Sequence, residues 1–89
     1  MAARVDVYTT DWCLYCTRAR HLLRARAIAF TELDVTEDDH RRAWLVATTG
    51  RRTVPQIFID GRPIGGAAEL YALDRSGELA RLLASPPQP

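Results

Sequence analysis

The dipeptide Asp60-Gly61 constrains this chain more than any other feature. It stands between the apolar run Gln56-Ile57-Phe58-Ile59 and the segment Arg62-Pro63-Ile64. Asp-Gly is a preferred two-residue hairpin link, because both positions must take a positive φ to follow the twist of the strands. An antiparallel pair is therefore predicted over 56–64. Pro63 has no amide proton to give a further neighbour, so its strand belongs at a sheet edge. A lone hairpin is only marginally stable in water, and the rest of the chain must supply its partners.

Upstream, Val5-Asp6-Val7-Tyr8-Thr9 alternates β-branched and polar residues and reads as a strand. Thr10-Asp11-Trp12 follow as a short loop, with Asp11 the expected cap of a helix beginning near Cys13. Residues 14–27 are mostly good helix formers. Ala19, Leu22 and Leu23 supply the apolar face, while Arg18, Arg20, Arg24 and Arg26 read as a solvated one. A second strand is expected over Ile28–Val35. Thr36 is the expected cap of the next helix, which carries carboxylates in its first turn and ends near Gly50. Trp44 on that helix is expected in the core. Gly65-Gly66 precede a helix from Ala67 to about Leu73. Asp74-Arg75-Ser76-Gly77 interrupt it, and a last helical stretch runs to about Leu83.

The predicted order is βαβαββα with a terminal helical extension. A right-handed crossover makes the first two strands parallel, and the hairpin adds antiparallel strands. The expected fold is α/β, a small mixed four-stranded sheet with helices on both faces. Residues 1–84 are assigned to the domain and residues 85–89, Ser85-Pro86-Pro87-Gln88-Pro89, to a loose tail.

With 89 residues, 47% of them hydrophobic and 26% charged, the chain has the balance of one globular domain able to bury a modest core without staples. The net charge of +1 gives no general pull toward nucleic acid or a membrane surface. No run of 18 apolar residues exists, and Met1–Asp6 does not read as a signal peptide, so a cytoplasmic location is expected. All 12 basic residues are Arg, which excludes Schiff-base and Lys general-base chemistry.

The two cysteines form Cys13-Leu14-Tyr15-Cys16. A bridge across two residues closes too small a loop to restrain the unfolded chain much, so the pair is poorly suited to be a staple. A structural zinc site needs about four ligands. Only His21 and His40 remain as further candidates, no second pair of cysteines exists, and both histidines read as solvent-facing. No metal site is expected. Redox chemistry is what remains. Cys13 falls where a strand ends and a helix begins, where free amides and the helix dipole stabilise anions. A thiolate is such an anion, so Cys13 is expected to be the attacking nucleophile. Cys16, one turn further on the same helix, is near it but less exposed, as a resolving thiol would be.

Two other elements bear on the same chemistry. Thr53-Val54-Pro55 lies just before the apolar strand, where sequence alone reads an ordinary trans proline at a strand edge. Gly65-Gly66 opens a helix whose first amides, at Gly66, Ala67 and Ala68, could hold a carboxylate, although Gly-Gly by itself favours a plain turn.

Together these stretches resemble the glutaredoxins, thiol oxidoreductases of the thioredoxin fold. The resemblance rests on Val7-Tyr8-Thr9, Cys13-Leu14-Tyr15-Cys16, Arg52-Thr53-Val54-Pro55-Gln56-Ile57-Phe58-Ile59, Gly65-Gly66 and Leu70-Tyr71-Ala72-Leu73, and runs from Val5 to Leu83. It implies a glutathione-dependent enzyme that reduces protein–glutathione mixed disulfides and protein disulfides. Glutathione would be a co-substrate, with no tightly bound cofactor, and the protein a monomer. It implies a cis Pro55 facing the cysteines. The backbone of Val54, beside Thr53, would receive the cysteinyl unit of glutathione as an added strand. Gly66, Ala68 and Glu69 would receive the γ-glutamyl end, with the α-carboxylate at amides near Ala68 and the α-amine at Glu69. Tyr15 would border the sulfur site, and Arg42 and Arg52 would face the glycine carboxylate. Thr10, also expected among the glutathione-binding residues, stands where many members have Lys, Leu14 where the common motif has Pro, and Glu69 where Asp is usual. Two other readings stay open from the resemblance. Some relatives carry a [2Fe–2S] cluster between two subunits. Tyr8-Thr9-Thr10-Asp11-Trp12-Cys13 also looks like the mycoredoxins, which reduce mycothiol mixed disulfides. Trp12, beside Cys13, is placed to shield the thiol or to dock substrates.

Overall fold

A computed structural model describes residues 3–84, so the assignment of 85–89 to a tail lies outside the described residues. The elements follow in the order β1 (Val5–Thr9), α1 (Leu14–Ala25), β2 (Thr31–Asp34), α2 (Asp39–Thr49), β3 (Gln56–Ile59), β4 (Arg62–Gly65), α3 (Ala67–Ser76) and α4 (Glu78–Ala84). The hairpin forms where Asp60-Gly61 places it. Asp60 has φ 51° and Gly61 φ 80°, the paired positive φ values that a tight two-residue link requires.

The sheet has four strands in the order β2-β1-β3-β4. β1 pairs in parallel with β2, Val7 opposite Glu32, and antiparallel with β3, Val7 opposite Ile57. β4 closes one edge, with Pro63 opposite Phe58. The two central strands are buried along almost their whole length, whereas both edge strands are largely exposed.

Packing on two faces explains this pattern. On one face Val5, Val7, Ile57 and Ile59 pack with Ala19, Leu22 and Leu23 of α1, Leu70 of α3 and Leu79 of α4. On the other, Phe58 packs with Val35 and with Leu45 of α2. Each fully buried Leu or Ile contributes about 1.5–3 kcal/mol relative to exposure. The alternation in β1 therefore separates two interiors rather than inside from outside. Asp6, only 7% exposed, pairs with Arg4 at 3.0 Å.

Several expectations are corrected. β2 begins at Thr31, not Ile28. Ile28 lies in the preceding turn, its amide bonded to the Leu23 carbonyl, and Ala27 there takes φ 56°. α1 ends at Ala25. Asp11 does not cap α1; the Cys13 sulfur does. Thr36 does not cap α2. Its hydroxyl is held by Asp34 and by the Asp11 amide, and Asp38 accepts from the Arg41 amide instead. Asp74, Arg75 and Ser76 continue α3, and only Gly77, with φ 83°, breaks it. Trp44 is not a core residue. It is 46% exposed and stacks on Phe58 at 5.6 Å at the rim of the second cluster.

Candidate active site

The site is built from three chain segments at one end of the sheet: the β1–α1 loop, the turn before β3, and the start of α3. The first delivers Cys13. Trp12 turns the chain with φ 57° and leaves its indole fully exposed. A bulky residue in this left-handed region is uncommon and costs about 1–2 kcal/mol. The turn is tied from outside the sheet, because the Asp11 amide donates to the Thr36 hydroxyl at 2.8 Å. Hydrogen bonds from the Thr36 hydroxyl and amide hold the Asp34 carboxyl below its ordinary range.

Cys13 then becomes the N-cap of α1. Its Sγ accepts the Cys16 amide at 3.1 Å. It also lies 3.6 Å from the Val54 carbonyl oxygen, to which the thiol can donate. Cys13 is partly exposed and Cys16 wholly buried, and both are free thiols. Burial is the main cause that pushes the Cys16 thiol up to about 12; a hydrogen bond and charge repulsion from Cys13 add to it. A backbone hydrogen bond from Thr10 and the charge of Arg20 act in the opposite direction.

The second segment faces these sulfurs. The Val54–Pro55 peptide is cis. Thr53 is fixed by Gln56, whose side-chain amide donates to the Thr53 carbonyl at 2.9 Å. Gln56 is 1% exposed in an otherwise apolar strand, and its Oε1 is a buried atom with no hydrogen-bond partner.

The third segment is the start of α3. Gly65 has φ 112°, accessible in practice only to glycine. A Cβ on Gly66 would stand 3.1 Å from the Pro55 carbonyl oxygen, so the cis-proline turn and α3 approach closely because no side chain intervenes. Gly66 gives α3 no side-chain cap. Glu69 reaches back instead, its Oε1 accepting the Gly66 amide at 2.7 Å and an Arg51 guanidinium contact at 2.6 Å. These two bonds, Arg51 first, hold the Glu69 carboxyl below its ordinary range.

The segments enclose a cavity of about 200 Å³ lined by Tyr15, Thr53, Val54, Pro55, Gly66, Ala68 and Glu69, with Arg51 and Ala67. Arg18 lies over the Tyr15 ring at 5.6 Å. A second cavity of about 200 Å³ adjoins it, sharing Arg51, Thr53 and Val54, and is lined also by Arg42 and Arg52. Thr10 lines neither cavity and meets Cys16 through its backbone. Arg51 and Gln56 were not among the candidates. The isolated polar residue in Gln56-Ile57-Phe58-Ile59 was a signal for the latter; nothing in the sequence separates Arg51 from Arg52. His21 and His40 are exposed, and no group of three metal-ligating side chains converges among the described residues.

A glutaredoxin family model matches residues 5–64. The chain belongs to the glutaredoxin family. A probable glutaredoxin of Synechocystis sp. is 46% identical over 88 residues, covering 98% of this chain and 81% of that one. Glutaredoxin 3 of Escherichia coli K12 is 46% identical over 81 residues, covering 91% and 98%. The solved structure of a buckwheat glutaredoxin–glutathione complex superposes with a TM-score of 0.86 at 30% identity, covering 91% of this chain and 76% of that one. The fold is thioredoxin-like, and the chain is an enzyme of the glutathione-dependent thiol oxidoreductase class, with Cys13 and Cys16 as its redox centre. Among the described residues no helix is long and apolar enough to cross a membrane.

Proposed function

We propose that the chain is a dithiol glutaredoxin that reduces protein–glutathione mixed disulfides with one thiol and protein disulfides with two. One observation carries this reading: Cys13 Sγ sits at the N-terminus of α1, 3.1 Å from an amide donor, while Cys16 behind it has no exposed surface. A sulfur that accepts an N–H at a helix start is stabilised as thiolate. A buried one cannot meet a protein substrate first.

In the one-thiol route the Cys13 thiolate attacks the glutathione sulfur of the mixed disulfide. The old S–S bond breaks, and the protein leaves as a thiolate that takes a proton from water. A second glutathione thiolate then attacks the Cys13–glutathione adduct, restoring the Cys13 thiolate and releasing glutathione disulfide. In the two-thiol route Cys13 forms a mixed disulfide with the substrate protein. Cys16 loses its proton and attacks the Cys13 sulfur, so the substrate leaves as a dithiol and a Cys13–Cys16 bridge remains. Two glutathiones reduce that bridge. The buried thiol is released in the right order. Once Cys13 is part of a disulfide, its hydrogen bond and charge no longer hold the Cys16 proton, and only burial does.

The cavity lined by Tyr15, Val54 and Glu69 fits glutathione in the same reading. The Val54 backbone takes the cysteinyl unit, and the uncapped start of α3 at Gly66 and Ala68 takes the γ-glutamyl carboxylate. Glu69 takes the α-ammonium, Tyr15 borders the sulfurs, and Arg42 and Arg52 hold the glycine carboxylate in the adjoining cavity. Thr10 contributes through Cys16 rather than through this ligand. The enzyme works as a cytoplasmic monomer on glutathionylated or disulfide-containing proteins. The test is a coupled reduction of one glutathionylated and one mycothiolated peptide by their own thiols. Turnover with glutathione alone is expected; turnover confined to mycothiol would overturn the assignment.

A further inference from the structure

We propose that Arg51 is a positioning residue that fixes the Glu69 carboxylate and so sets the preference for a ligand carrying a γ-glutamyl α-ammonium group. The inference rests on the glutathione reading above. Glu69 is long and its side chain is 40% exposed, so alone it would sample several rotamers at an entropic cost to any ligand that froze it. Two donors remove that freedom. The Gly66 amide and Arg51 Nη1 both end on Oε1, at 2.7 and 2.6 Å. No hydrogen bond from another described residue ends on Oε2. One oxygen is thus anchored, and the other is left as an acceptor on a carboxylate that lines the cavity.

The chain places Arg51 for this task. α2 ends at Gly50 with φ 73°. The Thr49 hydroxyl donates to the Leu45 carbonyl at 2.7 Å and accepts the Arg51 amide at 3.1 Å, which ties the turn and directs Arg51 toward α3. Arg51 lines both cavities, whereas Arg42 and Arg52 line only the one away from Glu69 and make no ion pair with it. The contact is a single Nη1–Oε1 bond, so a lysine can reproduce it.

The experiment compares the KM for a peptide carrying glutathione with that for the same peptide carrying glutathione without its α-amine. Wild type is expected to prefer the amine-bearing substrate. Arg51→Gln should raise the KM of that substrate by about two- to fivefold, the range of an exposed ion pair. Its kcat and the KM of the amine-free substrate should stay unchanged, the thermal midpoint should fall only slightly, as for loss of one exposed ion pair, and Arg51→Lys should restore the preference. A wild-type preference that Arg51→Gln leaves intact or strengthens would overturn the role of Arg51 while leaving the Glu69 contact standing. No preference in wild type would remove the Glu69 contact itself, and the proposal with it.

Discussion

Two helices begin at the active site, and their first turns are finished in opposite ways. α1 is capped from within, by the sulfur of Cys13 accepting the Cys16 amide. α3 starts at a glycine with nothing to offer, and its one local acceptor, Glu69, is spent on the Gly66 amide. Both ends carry the same partial positive charge. At α1 that charge acts on an atom of the protein, the Cys13 sulfur. At α3 the following amides remain open to an anion brought by a ligand. In the proposed reading the same backbone feature serves chemistry at one end and recognition at the other, and the residue at the cap position decides which.

The sharpest way to break the contrast is to change the α1 cap. Serine is itself a good N-cap, so Cys13→Ser should remain folded, with stability within about 1 kcal/mol of wild type, yet lose all thiol transfer. Cys16→Ser should retain reduction of a glutathionylated peptide and lose reduction of protein disulfides. Burying a hydroxyl in place of the thiol should lower its stability by about 1–3 kcal/mol in denaturant titration. Equal loss of both activities in the two variants would contradict separate roles.

Next in size is converting α3 to the α1 pattern. Gly66→Ser supplies a cap that competes with the ligand carboxylate for the helix amides. The KM for a glutathionylated substrate should rise about tenfold, the worth of roughly one charge-assisted hydrogen bond. Gly66→Ala crowds the Pro55 carbonyl in the same way but cannot cap. If both variants behave alike in steady-state kinetics, crowding and not capping is responsible.

A smaller effect concerns Glu69. Its carboxyl has a folded value below its ordinary 4.5, so its contribution to stability is complete above about 4.5 and is lost as pH falls through the lower folded value. Glu69→Gln should therefore lower the thermal midpoint slightly at pH 7, and the gap should narrow as pH falls through the lowered folded value. A gap that does not narrow on acidification would point to packing instead of charge. The smallest change is expected from Thr10→Lys. Because Thr10 lines neither cavity, the KM should move by no more than about twofold, and less at high salt.

The comparison also marks what the sequence could disclose. Asp60-Gly61, Pro63 and the strand-then-cysteine order are local signals, and the hairpin, the edge strand and the cysteine pair are where they place them. Cap assignments went astray where two loops meet. Asp11 and Thr36 are the standard cap residues of their segments, but the Thr36 hydroxyl is committed to the Asp34 carboxylate and to the Asp11 amide, and a sulfur and Asp38 take over as caps. Trp44 looked like core because helical spacing says nothing about how much of the sheet a short helix can cover. Arg51 escaped notice for a related reason. Which of two adjacent arginines turns toward α3 is decided by the Thr49 knot, a tertiary detail with no periodic signature.

The sheet borders have a consequence for how copies of the molecule meet. β2 carries Glu32, paired with Arg20 at 2.9 Å, and Asp34, and β4 carries Arg62 and a proline that has no amide proton. Unpaired strand edges are templates on which a second chain can zip, and charge and proline are the usual deterrents. With both borders so defended, crowded copies of this protein are deterred from stitching through their sheets, whereas in the proposed reading an incoming peptide strand is received beside the thiols, at Val54.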